Sequence, residues 1–142
     1  MLQLEPYLSF DGNCEEALNF YARIFGGEIS AISRFKDAPP EQMQLPADWG
    51  DKVMHANLKA STIAFMASDR PPAHRSASNG GRITMSLGGD DVDEAERIFD
   101  ALAEGGAVTM PYQKTFWGAN FGMLTDKYGI DWMVNAFPGG MS

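Results

Sequence analysis

Two stretches of the chain repeat apolar residues at the spacing of one helical face. In the first, Ala17, Phe20, Tyr21 and Ile24 fall at i, i+3, i+4 and i+7. Asn13 stands where an N-cap belongs, Glu16 follows three residues on as in a capping box, and Gly26-Gly27 supplies the stop. In the second stretch Ala95, Ile98, Phe99 and Leu102 form the face, Asp91 and Glu94 the cap and box, and Gly105-Gly106 the stop. Cap, box and all four face positions recur at an offset of 78 residues, and the glycine pair at 79. Seven features in register predict a duplicated unit.

Period-2 segments surround each helix in the same order. Residues 4–10 alternate Leu4, Pro6, Leu8, Phe10 against Glu5, Tyr7, Ser9, and residues 82–87 alternate Ile83, Met85, Leu87 against Arg82, Thr84, Ser86. Such alternation predicts half-buried strands. Further strands are predicted over 28–35, 52–59 and 62–67 after the first helix, and over 107–112, 120–125 and 130–136 after the second. Each half therefore reads β-α-β-β-β, an α+β fold of two tandem modules, 1–67 and 82–138, within one domain. Residues 126–129, Asp-Lys-Tyr-Gly, predict a tight turn between the last two strands. Two proline-bearing stretches lack periodicity. Residues 36–51 are long for a hairpin loop, and 68–81 read as the linker between modules.

Composition narrows the class. With 142 residues, 44% hydrophobic and 21% charged, the chain can bury a core without staples and is not expected to be disordered. A net charge of −8 argues against nucleic acid and anionic membrane surfaces as partners. No apolar run is long enough to span a membrane, and the first residues lack the pattern of a secretory signal. A lone cysteine, Cys14, fits a reducing cytoplasm.

Several local runs, taken together, resemble a known family. They are residues 6–17 (Pro-Tyr-Leu-Ser-Phe-Asp-Gly-Asn-Cys-Glu-Glu-Ala), Phe20-Tyr21, Phe25-Gly26-Gly27, His55-Ala56-Asn57-Leu58 and Met66-Ala67-Ser68-Asp69. Downstream lie Thr115-Phe116-Trp117, Phe121-Gly122, and residues 125–129 running into Trp132-Met133-Val134-Asn135. The combination resembles the vicinal oxygen chelate superfamily of glyoxalase I, bleomycin-resistance proteins and extradiol dioxygenases, and within it the PhnB-like group. Some of that group are described as ubiquinone-precursor methyltransferases. The glycine pairs here never form the G-x-G-x-x-G turn of a nucleotide-binding unit.

The resemblance implies that each module curls its sheet into half a barrel, with a small ligand on the concave face and the helix on the convex one. Leu8, Phe10, Ile63, Phe65, Ile83, Leu87, Ile130, Trp132 and Val134 should then face the helices. The alternate set, Glu5, Tyr7, His55, Asn57, Met66, Thr84, Ser86, Met133 and Asn135, should line the cavity. The superfamily's metal ligands, typically two His and two Glu, map by local motif onto Glu5, Met66, Thr84 and Met133. Only Glu5 is a strong ligand for a hard divalent cation, so the expectation is a metal-free site.

His55 is the candidate general base or ligand-anchoring donor, against the plainer reading of a hydrogen-bonded structural histidine. His74, beside Pro72-Ala73 and Arg75, reads as a solvated loop residue. Phe116, Trp117 and Phe121, with Trp49 in the long loop, can wall a pocket for a flat or apolar ligand, or serve core or dimer packing. Nine methionines would adapt to irregular apolar ligands. Cys14 lies in a helix first turn, which favours the thiolate, but Glu15 and Glu16 oppose it. Asp93, Glu94, Glu96 and Asp100 read as a solvated helix face. The expected function is metal-free binding of a small organic molecule by a cytoplasmic homodimer, with Trp117 and Phe121 completing the cavity residues above. The alternative is a lyase, isomerase or dioxygenase-type enzyme using His55 and Glu5, with or without a divalent metal.

Overall fold

The computed structural model describes residues 4–37, 45–72 and 83–138. The expectations for His74, Arg82 and most of the 68–81 linker lie outside those residues, as does the middle of the 36–51 loop. The chain divides into two compact units, Met1–Ala77 and Ser78–Ser142. The first holds β1 (Tyr7–Phe10), α1 (Cys14–Phe25), β2 (Glu28–Arg34), a short 3-10 turn (Phe35–Asp37), β3 (Val53–Lys59) and β4 (Ala64–Asp69). The second holds β5 (Met85–Gly89), α2 (Val92–Ala103), β6 (Ala107–Lys114), β7 (Asn120–Thr125) and β8 (Asp131–Ala136).

Both units have the same topology. Their sheets run β1-β4-β3-β2 and β5-β8-β7-β6, with one parallel pair each, β1 with β4 and β5 with β8, and antiparallel pairs elsewhere. The helix of each unit covers one face of its own sheet. Ala17, Leu18, Phe20 and Tyr21 of α1 are buried, with Tyr21 edge-on to Phe65 of β4 at 5.8 Å between ring centroids. In α2 the buried pair is Phe99 and Leu102. Gly122 of β7 lets that helix approach, since a Cβ there would lie 2.7 Å from the Phe99 ring.

A glycine at positive φ ends both helices, directly as the C-cap of α1 and one residue after the extended C-cap Glu104 of α2. Gly26 and Gly105 take the left-handed conformation, at φ 68° and 77°, where a Cβ would be strained. The following glycine then passes tight against a neighbouring strand. A Cβ on Gly27 would lie 3.1 Å from the Lys59 carbonyl carbon, and one on Gly106 2.9 Å from Asp126 Cα. The duplicated glycine pair thus has two separate jobs, a left-handed stop and a close crossing.

The helix starts differ between the units. Asp91 caps α2 as expected, its carboxylate accepting from the Glu94 N–H at 3.0 Å. Asn13 does not cap α1: its side chain makes no cap hydrogen bond. Instead Asp69, at the end of β4, takes over from across the sheet. Its Oδ1 accepts from the Gly12 and Cys14 N–H groups at 2.9 Å each, and its Oδ2 from Val53 N–H at 2.9 Å. β4 consequently continues to Asp69, into the stretch expected to be linker.

Two more expectations need correction, and one open alternative is decided. Strand β5 begins at Met85 and extends to Gly89 rather than covering 82–87. Ile83, expected against a helix, precedes that strand and is 73% exposed. Trp49, read as a pocket wall or as core or dimer packing, belongs to the core: it is buried, 6.5 Å from Phe35 between ring centroids and in reach of Lys52.

The two caps predict different costs. Asp69→Asn leaves one acceptor oxygen and turns an amide N–H toward a buried backbone donor, so it should destabilise the protein by about 3 kcal/mol. Asp91→Ala removes a single exposed cap bond and should cost about 1 kcal/mol. Urea unfolding of both variants checks the ratio, and equal losses would contradict the role given to Asp69.

Candidate functional site

Strand alternation leaves each sheet with a second face, away from its helix. On the first sheet the register aligns Tyr7 with Met66 and Met66 with Asn57, so β1, β4 and β3 contribute one row. His55 lies two residues along β3 from Asn57, opposite Ser33 of β2. Ala56 and Leu58, the alternate residues, are fully buried toward α1. Val53 is buried as well, three residues from Ala56, because β3 bulges between His55 and Val53.

Tyr7 reaches diagonally across β4 to His55. Its Oη lies 3.3 Å from His55 Nδ1, with ring centroids 5.8 Å apart and planes tilted by 49°. Tyr7 is 49% exposed, and His55, Asn57 and Met66 are half-buried, so this face is open to a ligand. Glu5 is half-buried just before β1, where the neighbouring Pro6 carbonyl accepts from Met66 N–H at 3.0 Å. The four side chains Tyr7, His55, Asn57 and Met66 carry no carboxylate and offer hydrogen bonds beside an apolar thioether.

The second sheet repeats the arrangement with other residues. Ser86 pairs with Met133, Phe121 with Asn135, and Met123 with Met133. Thr84 is half-buried just before β5. The Asn135 Oδ1 is buried with no hydrogen-bond partner among the described residues. Phe121 begins a series of edge-to-face rings that runs to Trp117 at 6.1 Å and on to Phe116 at 5.0 Å. The series ends at the β6–β7 turn, where Phe116 is 97% exposed. That turn is held by Thr115, whose N–H and Oγ both donate to the Ala119 carbonyl at 2.8 Å.

A cleft of about 490 Å³ lies elsewhere in the first unit, against the start of α1. Several of its charged groups already have partners. Arg34 donates to both Glu15 oxygens at 3.0 and 2.9 Å and to the Asp51 carbonyl at 2.8 Å. Lys52 donates to the Gly12 carbonyl at 2.8 Å. The Arg34 hydrogen bond holds the Glu15 carboxyl below its ordinary range, and Lys36 does the same for Asp51. These pairs tie β2 and the loop before β3 to α1, and we assign the cleft to structure.

Cys14 also belongs to structure. Burial, reinforced by the negative charges of Asp69 and Glu15, pushes its thiol up to about 12 from the ordinary 9.0. The helix-start effect expected to favour the thiolate is outweighed.

Of the four positions that the resemblance assigns to a metal, only Glu5 is a strong ligand for a divalent ion. Met66 and Met133 supply thioethers and Thr84 a neutral hydroxyl. Among the described residues no group of three His, Cys, Asp or Glu is placed to hold a metal.

The profile of the glyoxalase/bleomycin resistance protein/dioxygenase superfamily matches residues 3–134. Protein YjdN of Escherichia coli (strain K12) is 36% identical, over 94% of this chain and 95% of its own. The crystal structure of protein PA1353 from Pseudomonas aeruginosa is 48% identical and superposes with a TM-score of 0.84, covering 97% of this chain and 99% of that one. A PhnB protein from Bacillus cereus, described as a putative 3-demethylubiquinone-9 3-methyltransferase, is 29% identical with a TM-score of 0.77 over 95% of this chain and 99% of that one.

The Cys14 assignment is testable. The native protein should react with a thiol reagent at pH 8 at least a hundredfold more slowly than the urea-unfolded chain. Because the folded thiol holds its proton from 9.0 up to about 12 while the unfolded one loses it, stability should fall as pH rises through that window. Urea midpoints for the parent and Cys14→Ala over this range check the sign: the decline should be smaller in the variant.

Proposed function

The chain belongs to the glyoxalase/bleomycin resistance protein/dioxygenase superfamily, in its PhnB-like group, and we propose that it binds a small organic molecule without a metal ion. The supporting observation is the open face of the first sheet, where Tyr7 and His55 meet beside Asn57 and Met66. A ligand there would bury apolar surface on Met66 and the Tyr7 ring while the polar groups fix its orientation. On the second sheet Ser86, Phe121, Met133 and Asn135 would act likewise, with Trp117 at the rim. Glu5 and Thr84, at the entries to β1 and β5, would border these faces. The donor set at Glu5, Met66, Thr84 and Met133 is the reason for leaving a metal out.

We further propose that the protein works in the cytoplasm as a homodimer. No helix among the described residues is long and apolar enough to cross a membrane. The β6 edge strand exposes Val108 and Met110, at 49% and 44%, and such edges favour pairing with or cover by another chain.

Elemental analysis of protein purified without chelator or affinity tag should find divalent metal well below one per chain. A thermal-shift screen of small organic compounds should return ligands whose stabilisation drops several-fold in His55→Ala and Asn57→Ala, with the circular dichroism unchanged. Stoichiometric metal would overturn the metal-free reading, and ligands indifferent to both substitutions would overturn the face. Light scattering coupled to size exclusion should give twice the 15.5 kDa of one chain. A single-chain mass across micromolar concentrations would overturn the dimer.

A further inference from the structure

We propose that Tyr7 fixes the tautomer of His55, so that the open face of the first sheet presents an Nε2–H donor and selects molecules carrying a carbonyl or carboxylate oxygen. This deepens the reading of that face as a binding surface and rests on it.

The distance places Tyr7 Oη and His55 Nδ1 as partners, and their chemistry gives the bond its direction. A phenol oxygen shares its lone pair with the ring, which makes it a good donor and a poor acceptor. The unprotonated nitrogen of a neutral imidazole is the better acceptor of the two. At 3.3 Å between Tyr7 Oη and His55 Nδ1, the favoured bond is O–H to N, with the proton on the tyrosine. A neutral imidazole holds one N–H, so a lone pair committed at Nδ1 puts the proton on Nε2. Partners on one ring nitrogen set the role of the other in the same way when histidine binds a metal.

Nothing among the described residues takes up that Nε2–H. The bond to Tyr7 is the one hydrogen bond that the His55 side chain makes among them. The strand places the ring on the open face, since its neighbours Ala56 and Leu58 are buried toward α1. A donor held in fixed orientation beside a thioether is recognised by a group that accepts a hydrogen bond and brings no donor of its own. Tyr7 is thus a positioning residue, acting through His55.

The tautomer can be read without a ligand. Long-range ¹H–¹⁵N correlation on uniformly labelled full-length protein, at a pH where His55 is neutral, should show a pyrrole-type shift at Nε2 and a pyridine-type shift at Nδ1. In Tyr7→Phe the Nδ1 resonance should move, and the ring should relax toward the tautomer mixture of an unconstrained histidine. A proton on Nδ1 in the parent protein, or an unmoved Nδ1 in Tyr7→Phe, overturns the proposal whatever binds the face.

Selection is read with two probes that share a planar ring and differ in their head group. Benzoate only accepts hydrogen bonds and benzamidine only donates them. Benzoate should shift His55 Nε2, with binding weakened about three- to tenfold in Tyr7→Phe. Benzamidine should leave Nε2 in place although the net charge of −8 favours the cation at long range. Shifts at Met66 and Asn57 by benzamidine alone would keep the binding face and overturn the selection of acceptors. If neither probe moves Tyr7, His55, Asn57 or Met66, the reading of the face falls, and the selection falls with it.

Discussion

Asp69 sits on the buried side of β4, where an ionised carboxylate is tolerated only if hydrogen bonds replace the water it has lost. Three backbone N–H groups do so, and they come from separate segments: the turn before α1, the first residue of α1 and the first residue of β3. One side chain thereby sets where the helix starts, against which strand it lies, and where β3 begins. The start of β3 precedes the bulge that restores His55 to the open face. The chemistry proposed for that face therefore depends on an acid on the opposite side of the sheet.

The second unit keeps the topology and distributes these tasks differently. Asp91 caps α2 locally, and a second buried acid, Asp126, works within its own hairpin. Its Oδ1 accepts from the Tyr128 and Ile130 N–H groups at 2.8 and 3.1 Å, and its Oδ2 from the Trp132 indole at 2.8 Å. What the two units share is the glycine pair behind each helix, because a Cβ has no room where the chain crosses the neighbouring strand. The carboxylate cap, by contrast, is supplied from a different place in each unit.

Most of the fold was legible because it is written in period. The helical faces at Ala17–Ile24 and Ala95–Leu102 and the strand alternation locate both βαβββ units. The long-range cap was not legible from the helix itself, since Asp69 lies 55 residues from Cys14. Its trace is in the strand: Phe65, Ala67 and Asp69 share a phase, so an acid falls where the pattern demands an apolar residue. The β3 bulge left a similar trace in the spacing of Val53, Ala56 and Leu58. Period 2 placed Tyr7 and His55 on one face, but their contact runs diagonally over an intervening strand and needs the register to be seen. Ile83 was misplaced because alternation continues past the end of the strand that it describes.

The difference between the two helix caps bears on the order in which the chain acquires structure. The α2 cap is three residues from its donor and can close as soon as that turn exists. The α1 cap is an event of high sequence separation, and its loop-closure entropy must be met before the bond forms. On a ribosome α1 is made before β3, β4 and Asp69, so Ala17, Phe20 and Tyr21 are then still without their sheet. During that interval the amino-terminal helix is an amphipathic segment lacking both partner and cap, the state that nascent-chain chaperones bind.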